Sequence, residues 1–502
     1  MSKHPVPDLL MVDAFCGAGG VTTGARASGI CRVVAGINHD PVAIASHAAN
    51  HPDTHHFIED IRTMPLDELT SAVARYRRLF PSAKLSFWAS LECTQFSKAK
   101  GGKARKADSR MLAWSLPRYI TVLDPDYIQI ENVEEFMSWG ELDAEGKPIS
   151  KREGREYIRW VKAVCAMGYV HDWRILNAAD FGAYTSRSRF FCVFHKPDLS
   201  HAWPQPTHAR RPLRGNLFAD DRLPWKPVAD VLDFGNLGTS IFGRKRPIAD
   251  KTILRILKGL QKYLPPAHME QRPNVGLLMT YNSPGYCLPL SVPAGAVTTK
   301  GHKAIVTPLL QTYYSNGHTT PVGEPARTVT TRDRIGLVSP VQWLDRQFSN
   351  GYASPLHQPA GSLLTTPKMN LCSAFLVNPQ FQSAGSPVTR PAPTVIASQR
   401  SYPLSVAFAW RGQEKWAVQD DDSEAMRDLK QFMRDHQVAD IFLRMLDVDE
   451  LKAIQGFPPG YILKGTKEHQ KKFIGNAVVP EVVAAWLRAI NHALRTAPPV
   501  IL

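Results

Sequence analysis

The strongest constraint on the fold is the opening LLMVDAFCGAGGVTTGARASG. It reads as a short buried strand, a glycine-rich turn and a helix, and it begins an alternation that runs to about residue 200. VVAGIN is a second strand and PVAIASHAANHP a helix; KLSFWAS and DYIQIENV are the next two strands. RWVKAVCAMGY is a helix, and RILNAADFG and RFFCVF close the series as strands. Strand–helix alternation predicts an α/β fold with a doubly wound parallel sheet. In such a sheet ligands lie at the carboxyl ends of the strands, so the turns after them are where chemistry is sought.

Beyond residue 200 proline, threonine and glycine rise and helical periodicity fades. An internal repeat appears, with PAGAVTTKGHKAIVTP from Pro293, PARTVTTRDRIGLVSP from Pro325, PAGSLLTTPKMNLCSAF from Pro359 and PAPTVIASQRSYPLSV from Pro391. Its steps are 32, 34 and 32 residues. Each copy is a Pro-Ala turn, a β-branched run, a polar tip and a second apolar run, which predicts a pair of strands per copy. Residues 275–406 carry nine Lys/Arg against three Asp/Glu. A β-array that only braces the rest of the chain fits this pattern. A DNA-reading region fits better, because charge and threonine gather at tips such as KGHK and RDR, with Lys300, Lys303, Arg332 and Arg334 placed to meet phosphates or a groove. From about 434 helical order returns in RMLDVDELKAIQGFP and in IGNAVVPEVVAAWLRAINHAL, a turn followed by an amphipathic helix. The expected division is 1–200, 201–430 and 431–502, the last segment returning to the first.

Composition narrows the class. Sixty Lys/Arg against 45 Asp/Glu give a net charge of +15, which points to a polyanionic partner. No run of 18 apolar residues predicts a membrane span, and the N-terminus lacks the pattern of a secretory signal. Seven cysteines without CxxC pairs predict reduced thiols in a cytoplasm and no structural zinc.

The turn in DAFCGAGG lets backbone approach a ligand and points helix N–H groups at it. It lacks the G-x-G-x-x-G spacing and is no P-loop, which disfavours nicotinamide and ATP. Asn38-His39-Asp40 follows the second strand, where a polar residue reaches ribose hydroxyls and a flat imidazole stacks on a purine. Asp60-Ile61 would meet the adenine amino group. Each of these is also readable as a loop or cap residue. Cys93, in ASLECTQFSKAKGG, directly follows a strand, whereas an idle cysteine is more often buried as a small apolar group. Glu131-Asn132-Val133 ends the neighbouring strand. A thiol and a carboxyl at adjacent strand ends suit an enzyme that attacks a ring and protonates it at once.

Together these residues resemble the DNA cytosine-5 methyltransferases that use S-adenosylmethionine. The likeness spans most of the chain, with six motifs in the family's order: DAFCGAGG, ECTQFS, ENV, Arg187-Ser188-Arg189, RMLDVDELKAIQGFP and GNAVVPEV. The resemblance implies a Rossmann-like methyltransferase sheet, with a β-rich, repeat-containing target-recognition region inserted before the last two motifs. It places S-adenosylmethionine over Phe15, Gly17, Gly19 and Gly20, with Asn38, His39 and Asp60 on ribose and adenine and Asn476 closing the pocket. It implies a cytosine flipped out of double-stranded DNA. Cys93 would attack C6, Glu131 would protonate N3, and Arg189, with Arg187 in the same element, would hold O2. The loop carrying Lys98, Lys100, Lys103 and Arg105 would close over DNA. The long insert and basic loop look like those of phage- or prophage-encoded members, active as monomers in a bacterial cytoplasm, without a metal, and linked to restriction–modification. The same fold acting on RNA, or with another base or donor, and a weakly catalytic DNA-binding decoy are the competing readings.

Three positions depart from the family. Asn38 stands where an acidic ribose ligand is usual, and Thr185 where glutamine is. Glu92 replaces the proline before Cys93. Two unit charges about 4 Å apart interact by roughly 1 kcal/mol in water and about 4 at an effective dielectric of 20. Glu92 would therefore raise the thiol's pKa by about one to three units. The following loop, SKAKGGKARKADSR, holds six Lys/Arg and one Asp, and closing it would restore the thiolate. Glu92 could instead accept the cytosine N4 amino group, pair with Lys98, or face solvent.

Overall fold

The structure is a computed structural model. It describes residues 6–91, 112–140, 153–210, 212, 221–233, 236, 238–263, 390–392, 416–436 and 438–496, and the backbone of the strands between 277 and 411 named below. Glu92, Cys93, the basic loop with Lys98, Lys100, Lys103 and Arg105, and Lys300, Arg332 and Arg334 lie outside the described residues.

The first part alternates as expected. β1 (Leu9–Ala14), α1 (Gly20–Ser28), β2 (Cys31–Asn38), α2 (Pro41–Asn50), β3 (His55–Ile58), α3 (Asp67–Leu79) and β4 (Lys84–Ser90) come first. α4 (Leu116–Leu123), β5 (Tyr127–Asn132), α5 (Arg155–Cys165), β6 (Val170–Asn177) and β7 (Ser188–His195) follow. The strands form one sheet in the order β3-β2-β1-β4-β5-β7-β6. The first five run parallel, whereas β7 is antiparallel to both β5 and β6, so the sheet is mostly and not wholly parallel. The cause is length. Residues 178–187 join β6 to β7, and a parallel crossover needs a dozen residues or more. The strand order reverses between β1 and β4, and ligands bind at such a switch point.

β1 is buried along its whole length, as its apolar run Leu9–Val12 requires of a strand covered on both faces, and Asp13 is buried with it. Leu10, Val12 and Ala14 join one core with residues of α3, α4 and α5, including Leu69, Leu116 and Trp160. Leu9 and Met11 face the other core, made with α1 and α10 (Pro480–Thr496). There Trp486 meets Trp88 edge-on at 5.5 Å, Phe191 at 5.7 Å, and stacks on Trp203 at 4.8 Å. Trp486→Ala would cost about 3–5 kcal/mol. The stretch Lys467–Thr496 is long and apolar enough to cross a membrane, but 67% of its most apolar window is packed inside the fold, as a core helix is.

The repeat region is a chain of short antiparallel strands. Leu277–Thr280 pairs with Tyr286–Pro289 and Lys303–Val306, and Leu309–Thr312 pairs with Thr319–Pro321 and Ile335–Val338. Trp343–Arg346 pairs with Ala353–Pro355 and Met369–Val377. Each of these units is thus three strands about a central one, not the expected pair. Among the described strands, the first two of each unit lie upstream of its Pro-Ala turn and only the third follows it, so a copy read from that turn takes in one strand of the unit. In the last unit Met369–Val377 does double duty and pairs also with Ser386–Pro387 and Ser405–Arg411. That sheet continues through Val438–Met445 to Thr239–Ser240.

Helices α6 (Asp250–Tyr263) and α7 (Glu424–Asp435) pack beside this sheet. In RMLDVDELKAIQGFP, Arg444 and Met445 end a strand, and α8 spans only Val448–Gln455. Asp447 and Glu450 form a capping box, and Glu450 also takes both terminal nitrogens of Arg444 at 2.7 Å. α9 (Lys467–Asn476) precedes α10, so the GNAVV turn links two helices.

Candidate active site

The first half of the site lies at the carboxyl ends of β1, β2 and β3. After Ala14 the chain turns through Phe15 at φ 61° and Gly17 at φ 54°, both half-exposed. A non-glycine residue at positive φ is a cost that marks a special turn. Cys16 N donates to Ile37 O at 3.1 Å, tying the turn to β2, and Glu59 N donates to Asn38 O at 3.1 Å, drawing the end of β3 to the same corner. No side chain caps α1, so its first N–H groups are not taken up by a cap.

Phe15, Gly17, Asn38, His39 and Asp60 therefore gather at one edge. Gly19 and Gly20 are buried, and their α-carbons face away from an open site. A Cβ on Gly19 would lie 2.4 Å from Tyr461 Oη, and one on Gly20 would lie 2.4 Å from Val478 O. These glycines admit the returning C-terminal segment, and that contact brings Asn476, exposed at the end of α9, toward the turn.

Asn38, Asp40 and Asp60 already have partners within this corner. Asn38 Oδ1 accepts Asp40 N at 2.9 Å. Asp40 caps α2 through Val42 N and Ala43 N and lies 3.4 Å from Lys472 Nζ, so its role is to cap and to pair. The Asp60 carboxylate is held by Arg62, whose Nε lies 2.9 and 3.1 Å from its two oxygens. This hydrogen bonding holds its pKa down to about 2, so it is ionised and acceptor-only. Nothing in the spacing of DIR exposes that clamp.

Beneath the glycine turn runs a buried polar chain that sequence reasoning missed. Thr22 Oγ1 donates to Asp13 Oδ2 at 2.9 Å and lies 3.0 Å from His47 Nε2, and His47 Nδ1 lies 2.8 Å from His56 Nε2. The threonine proton goes to Asp13, so His47 donates from Nε2 and accepts at Nδ1. Burial lowers the pKa of His47 and keeps it neutral, and burial raises that of Asp13 to about 7. Among the described residues, no group of three or more His, Cys, Asp or Glu could hold a metal ion.

The second half lies at β5 and β7. Ser90, the last residue of β4, pairs with Glu131, and Asn132 Nδ2 reaches Leu91 O at 3.5 Å. The last described residues of this segment, Ser90 and Leu91, thus lie beside the end of β5 that carries Glu131. Glu131 is 5% exposed, with Arg189 Nε at 3.5 Å and Arg187 Nη2 at 4.0 Å from Oε1. Burial raises its pKa and outweighs the two arginines, which lower it. Arg187 Nη1 also donates to Gly475 O at 3.1 Å, linking this pair to the residue before Asn476. A small cavity is lined by Glu131, Arg187 and Arg189 together with Leu176, Phe191 and Val479. Thr185 is fully buried and bridges to Ala392.

The profile of the C-5 cytosine-specific DNA methylases matches residues 9–217 and 394–492. The Type II methyltransferase M.AquIA of Picosynechococcus sp. is 27% identical over 232 residues, 44% of this chain and 87% of that protein. M.Sau3AI of Staphylococcus aureus is 29% identical over 113 residues, 22% of this chain and 25% of that protein. M.XorII of Xanthomonas oryzae pv. oryzae is 30% identical over 204 residues, 39% and 43% of the two chains. Against these last two, the match spans less than half of the relative. The solved structure of a putative DNA modification methyltransferase encoded within an E. coli prophage aligns at 15% identity and TM-score 0.43, covering 97% of this chain and 99% of that one.

Proposed function

This chain belongs to the C-5 cytosine-specific DNA methylase family, and from that premise we propose that it transfers a methyl group from S-adenosylmethionine to carbon 5 of a cytosine flipped from duplex DNA. The observation that carries the reading is the buried Glu131 carboxyl. It sits at the end of β5 beside the exit of β4 toward Cys93, with two arginine side chains within 4.0 Å of it. A carboxyl whose acidity is weakened by burial is protonated more readily near neutral pH, as a donor to a ring nitrogen needs.

Cys93 Sγ bonds to C6, and Glu131 gives its proton to N3, so the electron pair collects at C5. Arg189 holds O2, and Arg187 keeps the Arg189 strand against the C-terminal segment. S-adenosylmethionine supplies the methyl group. Loss of the C5 proton to a base then expels the thiolate and restores the ring.

The corner at β1–β3 fits such a donor. Gly17 has open space, with Phe15 O at 4.0 Å its nearest neighbour, and the uncapped start of α1 offers N–H groups to a carboxylate. Asn38, His39 and Asp60 line the nucleoside side and Asn476 the far side. Residues 1–200 and 431–502 would make the catalytic unit and 201–430 the recognition region. Lys98, Lys100, Lys103, Arg105 and the repeat tips would supply DNA contacts.

Duplex DNA containing 5-fluorocytosine tests the mechanism, because fluorine at C5 cannot leave as a proton does. Wild type should form a covalent adduct. Cys93→Ser should form none and transfer no methyl, while still binding DNA and S-adenosylmethionine. Full methyl transfer by Cys93→Ser would end this mechanism.

A further inference from the structure

The segment outside the family match, residues 218–393, holds the repeats, yet both of its ends converge on one short stretch of the catalytic unit. That stretch is Tyr184–Ser186, directly before Arg187 and Arg189. Near the start of the segment, Lys226 Nζ lies 5.3 Å over the Tyr184 ring. At its end, Ala392 N donates to Tyr184 O at 2.6 Å, and Ser186 N donates back to Ala392 O at 2.8 Å. Ser186 Oγ reaches the same oxygen at 3.3 Å. The two ends are also tied to each other, since Val228 N donates to Arg390 O at 2.9 Å. Ala392 and Thr185 are both fully buried, and Ala392 packs with Val228, Leu446, Leu451 and Ile454.

These bonds form an isolated parallel β-bridge between Thr185 and Ala392, made by two main-chain hydrogen bonds between buried residues. Pro391-Ala392 is also the fourth copy of the Pro-Ala turn that opens each repeat. On the far side of the arginine stretch, Arg187 Nη1 is bonded to Gly475 O and Ala178 N to Arg187 O. The arginine segment is therefore held between the end of the repeat region and the C-terminal segment.

We propose that the Arg390–Ala392 turn is a positioning element for Arg187 and Arg189, through which seating of the repeat region on DNA sets the geometry of the Glu131 site. This inference rests on the methyltransferase reading above. Ala392 touches no reacting atom. It acts by holding Tyr184–Ser186, and a misplacement of about 1 Å at the arginines is enough to cost up to a hundredfold in rate.

Ala392→Pro removes the N–H that bonds Tyr184, whereas Ala392→Gly keeps both main-chain bonds. Both are assayed as full-length protein on genomic DNA from a methylation-free host, with S-adenosylmethionine binding measured alongside. For Ala392→Pro, kcat should fall about tenfold to a hundredfold while the Kd for S-adenosylmethionine stays within twofold, and Ala392→Gly should keep near wild-type kcat. The arginines lower the Glu131 pKa, so displacing them should move the alkaline limb of the kcat profile to higher pH, a change that general destabilisation would not produce. If Ala392→Pro loses cofactor binding and so fails to fold, Ala392→Val, which crowds the turn but keeps its bonds, decides on the same readouts. Unchanged kcat in the folded variant, or a lower kcat with the alkaline limb fixed, would overturn the positioning role alone. A wild-type chain that transfers no methyl group would overturn the methyltransferase reading as well.

Discussion

Replacing Asn38 by an acid should tighten S-adenosylmethionine binding. The amide oxygen of Asn38 is committed to Asp40 N at 2.9 Å, so only its N–H2 group is left for a ribose. A ribose diol would then be held as an acceptor, with its own hydroxyl protons unserved. In Asn38→Glu one carboxylate oxygen can keep the Asp40 bond and the other can accept from a hydroxyl. A hydrogen bond to a charged group contributes about 1.5–3 kcal/mol against about 0.5–1.5 for a neutral one, a gain of about 1–2 kcal/mol. That corresponds to roughly fivefold to thirtyfold in Kd. Repulsion from Asp60 is offset because Arg62 already neutralises it, and that from Asp40 because its carboxylate is taken up by the first N–H groups of α2 and by Lys472. Titration calorimetry with S-adenosylhomocysteine, which has the same ribose, should show the same gain as the methyl donor. The 2′-deoxy and 3′-deoxy analogues identify the hydroxyl, since the gain should vanish with one of them. No gain, or a gain that survives the loss of either hydroxyl, would refute the assignment of Asn38 to the ribose.

If the repeats read DNA, alanine at Lys300, Lys303, Arg332 and Arg334 should flatten the slope of log Kd against log salt by about 0.9 for each lost phosphate contact, and an unchanged slope would return the repeats to bracing. Glu92→Pro should speed iodoacetamide alkylation of Cys93 at neutral pH by about tenfold per unit of pKa recovered, less a correction for lower nucleophilicity; an unchanged rate would remove Glu92 as the tuner of the thiol. Burial raises the Asp13 pKa from 3.8 to about 7, so the folded state holds a proton that the unfolded chain releases, and stability falls as pH rises between those values. Asp13→Asn should therefore melt above wild type at pH 8, by an amount approaching about 4 kcal/mol, and lose that advantage near pH 4; a pH-independent difference would show that Asp13 ionises freely in the fold.

What could be read in the sequence was whatever is local. DAFCGAGG declared its strand and turn because apolar run, glycines and helix start lie within a dozen residues. Glu131 was legible because it lies near the end of a short strand whose Tyr127, Ile128 and Ile130 are apolar. β3 was not, since His55–Ile58 is four residues with two histidines and shows no period. The reversal of β7 was hidden because strand direction depends on connection length and not on composition. Arg62, two residues from Asp60, carries no spacing signal, yet it occupies the carboxylate assigned to adenine. His47 was not legible because its partners Thr22 and His56 come from two other elements.

Gly20 shows the deeper limit. The motif that most plainly suggested a ligand is shaped as much by the chain's own far end. Val478 O lies where a Gly20 Cβ would be, and Pro480 O does the same at Gly24, 2.5 Å from the ideal Cβ. α1 can pack this closely on α10 only because both positions lack side chains. The glycine turn is therefore complete only after residues 477–480 have returned, across an insertion that holds the whole repeat region. A fold closed by its last helix tolerates a long insertion if the insertion's two ends stay near each other and near the site. The bonds from Val228 to Arg390 and from Ala392 to Tyr184 and Ser186 meet that condition. The contact that lets the α/β fold close around the insertion is thus the same one that ties the insertion's ends to the stretch before the arginines beside Glu131.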